Sequence, residues 1–564
     1  MVDFYILIVE GVLKLMFISG EEDFFAFSIV NNQNRKDIMK NLCGYLFSDE
    51  YIDFFEQDEA DQSLDSIDIA FSNSIIGRFV SLLNLIKCPF TIIVEPYYID
   101  QSFRDTFYMY YSNQHFSVNR SSVRLSFLNG EYSRDSFYTT ESRILDQNFI
   151  GSCVINPLVK GAIGRTLLSP RFIPFSDSEC YMRVSNFTLN IYGRSLHVSA
   201  FPYRSQDQET MRCAEITMLN IFDYYSNSYN DYRIATPSDI ISCEEKHNYE
   251  RVLPSRGTTY PILTKVMSEF GFAPRLYTMF GIEKSVFSSL NTKEKLRRIL
   301  HYYIESGIPV AVNLTSTSQS SSNDNHSIIC IGHGKAKSKL YKRAKKNSFI
   351  PYKNLDTIYD NPIINSADFF EDYVIVDDNV PVYQIKNFYS FSKNMIVDGL
   401  SVPLYKRMFM DAVDAETIFR DLLYDDYFGF SMYSENVLKE KEKVVFRMFM
   451  ASSRSLKKFR VENYTDIDLK HYYASIPMPR FVWICELYKE DNYLNNDKDQ
   501  KAFCEYIIDA TSAPSRGPKS LILMKFPKYL AFRLPFQNDT NMSQWLEIQT
   551  DSFFIGYSKN LSKY

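Results

Sequence analysis

Nine cysteines are scattered through this 564-residue chain, and one of them, Cys213, stands where a thiol can be made nucleophilic. The polar stretch QDQETMR (206–212) runs directly into CAEITMLNIFDYYS (213–226), whose apolar residues fall at helical spacing. A cysteine that opens a helix faces unpaired backbone N–H groups and the positive end of the dipole, and both favour the thiolate. Such a nucleophile needs a base that takes the thiol proton and later hands it to the leaving group. His326, in NDNHSIICIGHG, heads an apolar strand. The next apolar strand, DYVIVDD (372–378), ends on Asp377, where antiparallel pairing would set a carboxylate beside the imidazole. A tetrahedral intermediate also needs hydrogen-bond donors. The side-chain amide of Gln206 or Gln208, together with the Cys213 backbone N–H, would supply them.

Each of these positions has a competitor. His333 follows Gly332 at the far end of the histidine strand, roughly 20 Å along an extended chain from His326. Asp378 adjoins Asp377, but strand alternation puts the two on opposite faces. Asn379 is a further orienting candidate. Arg165, charged among apolar neighbours in GAIGRTLL (161–168), reads first as a buried structural arginine and second as a substrate-carboxylate contact. The segment SRGPKS (515–520) lacks the earlier glycine and the strand-to-helix setting of a phosphate loop.

The elements that must hold these side chains are legible in the middle of the chain. Helices are expected at 213–226, from PSDII (237–241), at 258–272 closed by Gly271, and at 292–307 closed by Gly307. Strands are expected at IPVAVNL (308–314), SIICIG (327–332) and 372–378. Between the last two lies an insert of about 334–370 that must loop out. Its basic run KAKSKLYKRAKK (335–346) reads as a solvated, mobile segment, with a partner or nucleic-acid contact as the sharper alternative. Before this region, 72–87 reads as a helix, 90–99 as a strand, and 158–168 and 187–201 as strands with glycine turns. FYILIVEGVLKLMF (4–17) reads as a buried strand pair or strand-helix, too short and too charged for a signal peptide. After it, 415–428 and 442–460 read as helices and 479–489, 502–511 and 528–536 as strands, with a solvated turn at NNDKDQ (495–500). The fold class is therefore α+β, in three regions: 1–145, 146–400 and 401–564.

The block QDQETMRCAEITMLNIFDYY, ESGIPVAVNL, HSIICIGHG and YVIVDDN resembles the papain-like fold of the bacteriocin-leader-type (double-glycine) peptidases and related bacterial papain-like proteins. The resemblance covers roughly 200–385. It implies a helix opened by the cysteine, packed on an antiparallel sheet that carries the histidine and the aspartate. It implies Cys213 as nucleophile, His326 as base, Asp377 as orienting residue and Gln206 or Gln208 as oxyanion donor, with Gln206 preferred. Ala214 stands where that group carries glycine, and Asp207 where its glutamine is usual. No transporter segment follows in the chain, so a bacteriocin exporter is not expected.

Bulk composition narrows the classes. Hydrophobic residues make up 45% of the chain, with 41 Tyr and 45 Phe, enough to bury large cores. A net charge of -6 argues against a globally basic nucleic-acid surface. No apolar run is long enough to span a bilayer, so no membrane partner is expected. An odd cysteine count without a CxxC pair argues against a disulfide framework or a zinc site and for a reducing cytoplasm. The expectation is a cytoplasmic cysteine peptidase that cleaves a peptide or isopeptide bond without metal or organic cofactor. Its partners would be a protein or peptide substrate and a regulatory protein, with the large flanking regions gating it, in a setting such as bacterial defence. The alternatives are a transglutaminase, deamidase or amidase on the same scaffold, or an inactive papain-like interaction protein.

Overall fold

A computed structural model describes residues 27–47, 75–115, 117–158, 163–175, 179–279, 290–317, 325–347, 363–392, 394–424, 443–494, 500–533, 544–547 and 553–564. The apolar stretch 4–17 and most of the turn at 495–500 lie outside the described residues. The architecture is mixed α+β, built on antiparallel sheets.

The first sheet runs β1 (Phe27–Val30), β2 (Phe90–Tyr98), β3 (Ser122–Asn129), β4 (Phe149–Ile155), β5 (Ile163–Leu168), each antiparallel to the next. It extends through Leu168, past the composition boundary near 145. Both faces are covered, which is why strands such as FTIIV and FIGSCVI are apolar without alternation. On one face lie α1 (Arg35–Leu46) and α2 (Ile75–Asn84), whose Leu42, Ile76, Phe79 and Leu83 meet Phe90, Ile92 and Phe127. On the other lies a hairpin whose Phe187, Leu196 and Val198 meet Ile93, Leu128 and Leu167.

The second sheet carries the candidate site. Its order is β14 (Gln384–Asn387), β13 (Asp372–Val376), β11 (Asn325–Gly334), β10 (Val310–Ser316), β15 (Met395–Val402), β9 (Arg275–Thr278). The short β6 (Cys180–Met182) also pairs with β11, and β23 (Ser562–Lys563) pairs with β6. Gly332 permits that crossing: a Cβ there would sit 2.2 Å from the Tyr181 carbonyl oxygen. The hairpin on the first sheet is β7 (Ser185–Ile191) and β8 (Arg194–Ala200).

Period-2 alternation on β11 splits two cores. Ile329 and Ile331 join α3 (Cys213–Ser228), α4 (Pro237–His247) and α5 (Tyr260–Glu269). Ile328 and Cys330 join Leu296, Ile299 and Leu300 of α6 (Thr292–Glu305) on the other side. The helix α3 is buried from Ala214 to Phe222 without a break, so it is a central helix and not a surface one.

The third sheet runs β12 (Ile363–Asn365), β16 (Val444–Ser452), β17 (Phe481–Lys489), β18 (Lys501–Asp509), β19 (Leu521–Phe526), β20 (Tyr529–Phe532), β21 (Gln544–Glu547), with β22 (Phe554–Ile555) beside β18. It is antiparallel except for β12 against β16. The helix expected at 442–460 is here a strand followed by α7 (Ser453–Asn463). Seven of the nine residues of VVFRMFMAS are buried, the run broken only at Arg447 before it ends at Ser452, and a run buried on both faces has no period to reveal it. The described residues of the insert are structured too. Lys337 pairs with Asp372, Arg343 with Glu371, and residues 341–346 form a helical turn. Asp368, fully buried, takes the guanidinium groups of Arg297 and Arg298 from α6. Among the described residues no helix is long and apolar enough to cross a membrane.

Candidate active site

The loop before α3 is built around Asp207. Its Oδ1 accepts the backbone N–H groups of Glu209 (3.0 Å), Thr210 (2.8 Å) and Met211 (2.8 Å), and Tyr111 donates to Oδ2. Three amides converging on one carboxylate fix the turn that delivers Cys213 to the first position of the helix. Asp207 is thus committed to the backbone, and it is the flanking Gln206 that faces the site. Gln208 is exposed, with a left-handed φ of 65°.

The start of α3 is pinned from below. Glu215, fully buried, accepts from the Arg212 N–H at 3.3 Å and from the Ser255 hydroxyl at 2.6 Å. Arg212 Nε donates to the Ser255 carbonyl at 2.7 Å. One turn in, the Thr217 hydroxyl donates to the Ser327 carbonyl of β11 at 3.3 Å, beside His326. Farther along, Asp223 receives both Arg165 (2.8 and 2.7 Å) and Arg204 (2.8 Å). Burial alone would raise the Asp223 carboxyl, but the two guanidinium groups outweigh it and hold it at about 2. Arg165 therefore straps the central helix to β5, as a structural arginine would.

Strand register brings base and acid together. Ile329 of β11 stands opposite Val376 of β13, so the residue after Val376 reaches the head of β11 diagonally. His326 Nε2 lies 2.9 Å from Asp377 Oδ1. The Cys213 side chain lies close enough to the same ring to help raise its pKa. With Nε2 engaged by the acid, Nδ1 is the nitrogen left for the thiol. Asn379 Nδ2 is 3.4 Å from Nε2, its backbone N–H donates to Asp377 Oδ1 at 3.0 Å, and its Oδ1 accepts from Gln206 Nε2 at 3.1 Å. Cys213, His326, Asp377 and Gln206 are all in one cluster, with Asn379 as the link between glutamine and histidine.

The alternation that separated Asp377 from Asp378 stops at Val376, where β13 ends. The chain turns there, and Asp378 Oδ1 comes within 3.6 Å of the same Nε2. His333 is elsewhere: its Nε2 is 3.0 Å from Glu305 Oε1 and its Nδ1 contacts the Gly334 carbonyl.

The electrostatics follow from this packing. Burial works against an imidazolium at His326, but the hydrogen bonds to Asp377 and Cys213 and the charges of Asp377 and Asp378 outweigh it, and its pKa lies well above the usual value. Asp377 is held below the usual range against its own burial, chiefly by His326 and then by the Asn379 N–H. Burial pushes Asp378 up to about 7; the Asp377 charge adds to this, and His326 and Arg78 oppose it. Burial also pushes the Cys43, Cys153 and Cys180 thiols up to about 12. Cys213 is partly exposed, unlike those three.

Two supports of the site gave no sign in the sequence. Arg78 of α2 donates to the Asp378 carbonyl at 3.3 Å, and the Tyr203 hydroxyl donates to the same oxygen at 3.4 Å. Both are buried, and an arginine inside an apolar helix carries no local mark of a partner 300 residues away. Compared with known families and with curated proteins, the chain matches no family model and no curated sequence.

Proposed function

We propose that the chain is a papain-like cysteine peptidase acting through Cys213, His326 and Asp377, with Gln206 as oxyanion donor. The supporting observation is the placement of one imidazole between the Asp377 carboxylate and the thiol at the start of α3. In this reading the Cys213 sulfur attacks the carbonyl carbon of a peptide or isopeptide bond as His326 takes the thiol proton. The Gln206 amide and the first backbone N–H groups of α3 stabilise the oxyanion. The C–N bond breaks as His326 returns the proton to the leaving amine, and water, deprotonated by the same ring, releases the acyl group. Asp377 does not take the proton; it holds the ring and favours its charged form.

The test is differential alkylation. Iodoacetamide at neutral pH is expected to label Cys213 well ahead of Cys43 and Cys330, both buried and both with raised pKa values. His326→Ala should erase that lead. Equal rates at the three thiols, or an unchanged lead in His326→Ala, would sink the activated-thiol reading. Mass spectrometry of the trapped acyl-enzyme after adding water or a primary amine then separates hydrolysis from transamidation.

A further inference from the structure

The side of His326 that faces away from the thiol holds more negative charge than a catalytic acid requires. Asp377 and Asp378 both lie against Nε2, at 2.9 and 3.6 Å. Asp378 is 5% exposed, and no donor among the described residues reaches either of its carboxyl oxygens. Arg78 donates to the Asp378 backbone carbonyl and not to its carboxylate. A buried carboxylate that accepts no hydrogen bond is costly, and either a proton or a metal cation relieves it.

We propose that His326 Nε2, Asp377 and Asp378 form a binding site for a borderline divalent cation of the Zn2+ type, and that this cation switches the base off. One ligand atom from each residue can be chosen so that all three lie within 4.8 Å of one another. Ligand bonds of about 2.0–2.1 Å place neighbouring donors about 3.0 Å apart at right angles and about 3.4 Å apart in a tetrahedron. The separations of 2.9 and 3.6 Å from Nε2 bracket those edges, so the ion enters with small side-chain shifts. The donor set is one imidazole nitrogen and two carboxylates, a mixture that suits zinc, and the two acids offset its charge.

The switch follows from imidazole chemistry. A neutral ring that gives Nε2 to a metal carries its hydrogen on Nδ1. With Nε2 turned to the acids, Nδ1 is the nitrogen left to the thiol, and in that form it donates but cannot accept the Cys213 proton. The ion therefore leaves the nucleophile in place and removes its base. This second half rests on the peptidase reading, whereas the ion site does not.

The test begins with Cys213→Ser in the full chain, so that sulfur cannot hold the metal. Calorimetry with ZnCl2 should show one ion per chain. Adding Asp378→Asn, which is nearly isosteric, should weaken binding by about tenfold or more. If that variant unfolds on thermal melting, His326→Gln in the same background takes its place. No binding to Cys213→Ser, or undiminished binding with a folded second variant, overturns the site. In the wild-type chain Zn2+ should slow alkylation of Cys213, with EDTA restoring it, and in Asp378→Asn the same Zn2+ should have little effect. Equal slowing in both would mean that the thiol itself is the ligand and overturns the switch. If Cys213 shows no special reactivity without metal, the peptidase reading fails while the calorimetry still decides the site.

Discussion

His326 is contacted by Asp377 and Cys213, and the consequence is measurable as pH-dependent stability. Its folded pKa is raised, so the stability it contributes is fully present below the unfolded value of about 6.5 and is lost as pH rises through the folded value. Asp377 has the opposite sign: its contribution is present above about 4 and is lost as pH falls through its lowered folded value. The pair is therefore worth most between those limits. Asp377→Asn is expected to cost about 1.5–3 kcal/mol at pH 5–6, the range for a hydrogen bond to a charged group. The melting-temperature gap from wild type should narrow once pH passes the raised imidazole value. A gap that stays constant from pH 5 to 10 would show that the two groups do not share charge. At this scale the sequence was informative because each candidate residue sits at an element boundary that polarity marks. Asp378 was misplaced for a definite reason: alternation holds only inside a strand, and β13 ends one residue before Asp377.

The elements set the tolerances of that cluster. The helix α3 is buried on all sides, so packing alone leaves its slide along the sheet weakly specified; polar straps at its two ends specify it. Glu215 and Thr217 fix the first turns, and Asp223 fixes the second half through Arg165 and Arg204. Removing the Asp223 carboxylate takes the ion-pair partner from one buried guanidinium group, Arg204, and one partly exposed, Arg165. Asp223→Ala is therefore expected to cost about 3–5 kcal/mol in urea denaturation, against much less for removing an exposed ion pair such as Arg480–Asp231. A loss near that of the exposed pair would mean that the straps are redundant. The switch from QDQETMR to an apolar run announces the start of α3, and Gly271 and Gly307, with φ of 94° and 70°, mark the ends of α5 and α6 as their sequence suggests. By contrast, β16 was unreadable, since apolar residues on both faces of a central strand look the same as those of a buried helix.

Across the whole molecule, the site is closed by a part of the chain far from its own sheet. Arg78 belongs to α2, which packs on the first sheet, yet its guanidinium reaches the turn that carries Asp377, Asp378 and Asn379. Among the described residues only Arg78 and Tyr203 hold the Asp378 carbonyl, and that carbonyl belongs to the middle residue of the turn Asp377–Asp378–Asn379 beside His326. The first sheet is thus connected to the turn beside His326 through the Arg78 hydrogen bond and charge, a physical route for gating by flanking regions in the proposed peptidase. Nothing local in IIGRFVSLLN could reveal this, because the partner is created by tertiary packing. Arg78→Met keeps the apolar stem and removes the donor. It should slow Cys213 alkylation severalfold, toward the rate of Asp377→Asn, with only a small change in melting temperature. Arg78→Lys, which keeps the charge, should fall between. Alkylation of Arg78→Met at the wild-type rate would show that the first sheet is a passive scaffold and that the turn holds its shape through Tyr203 and the Asn379–Gln206 contact alone.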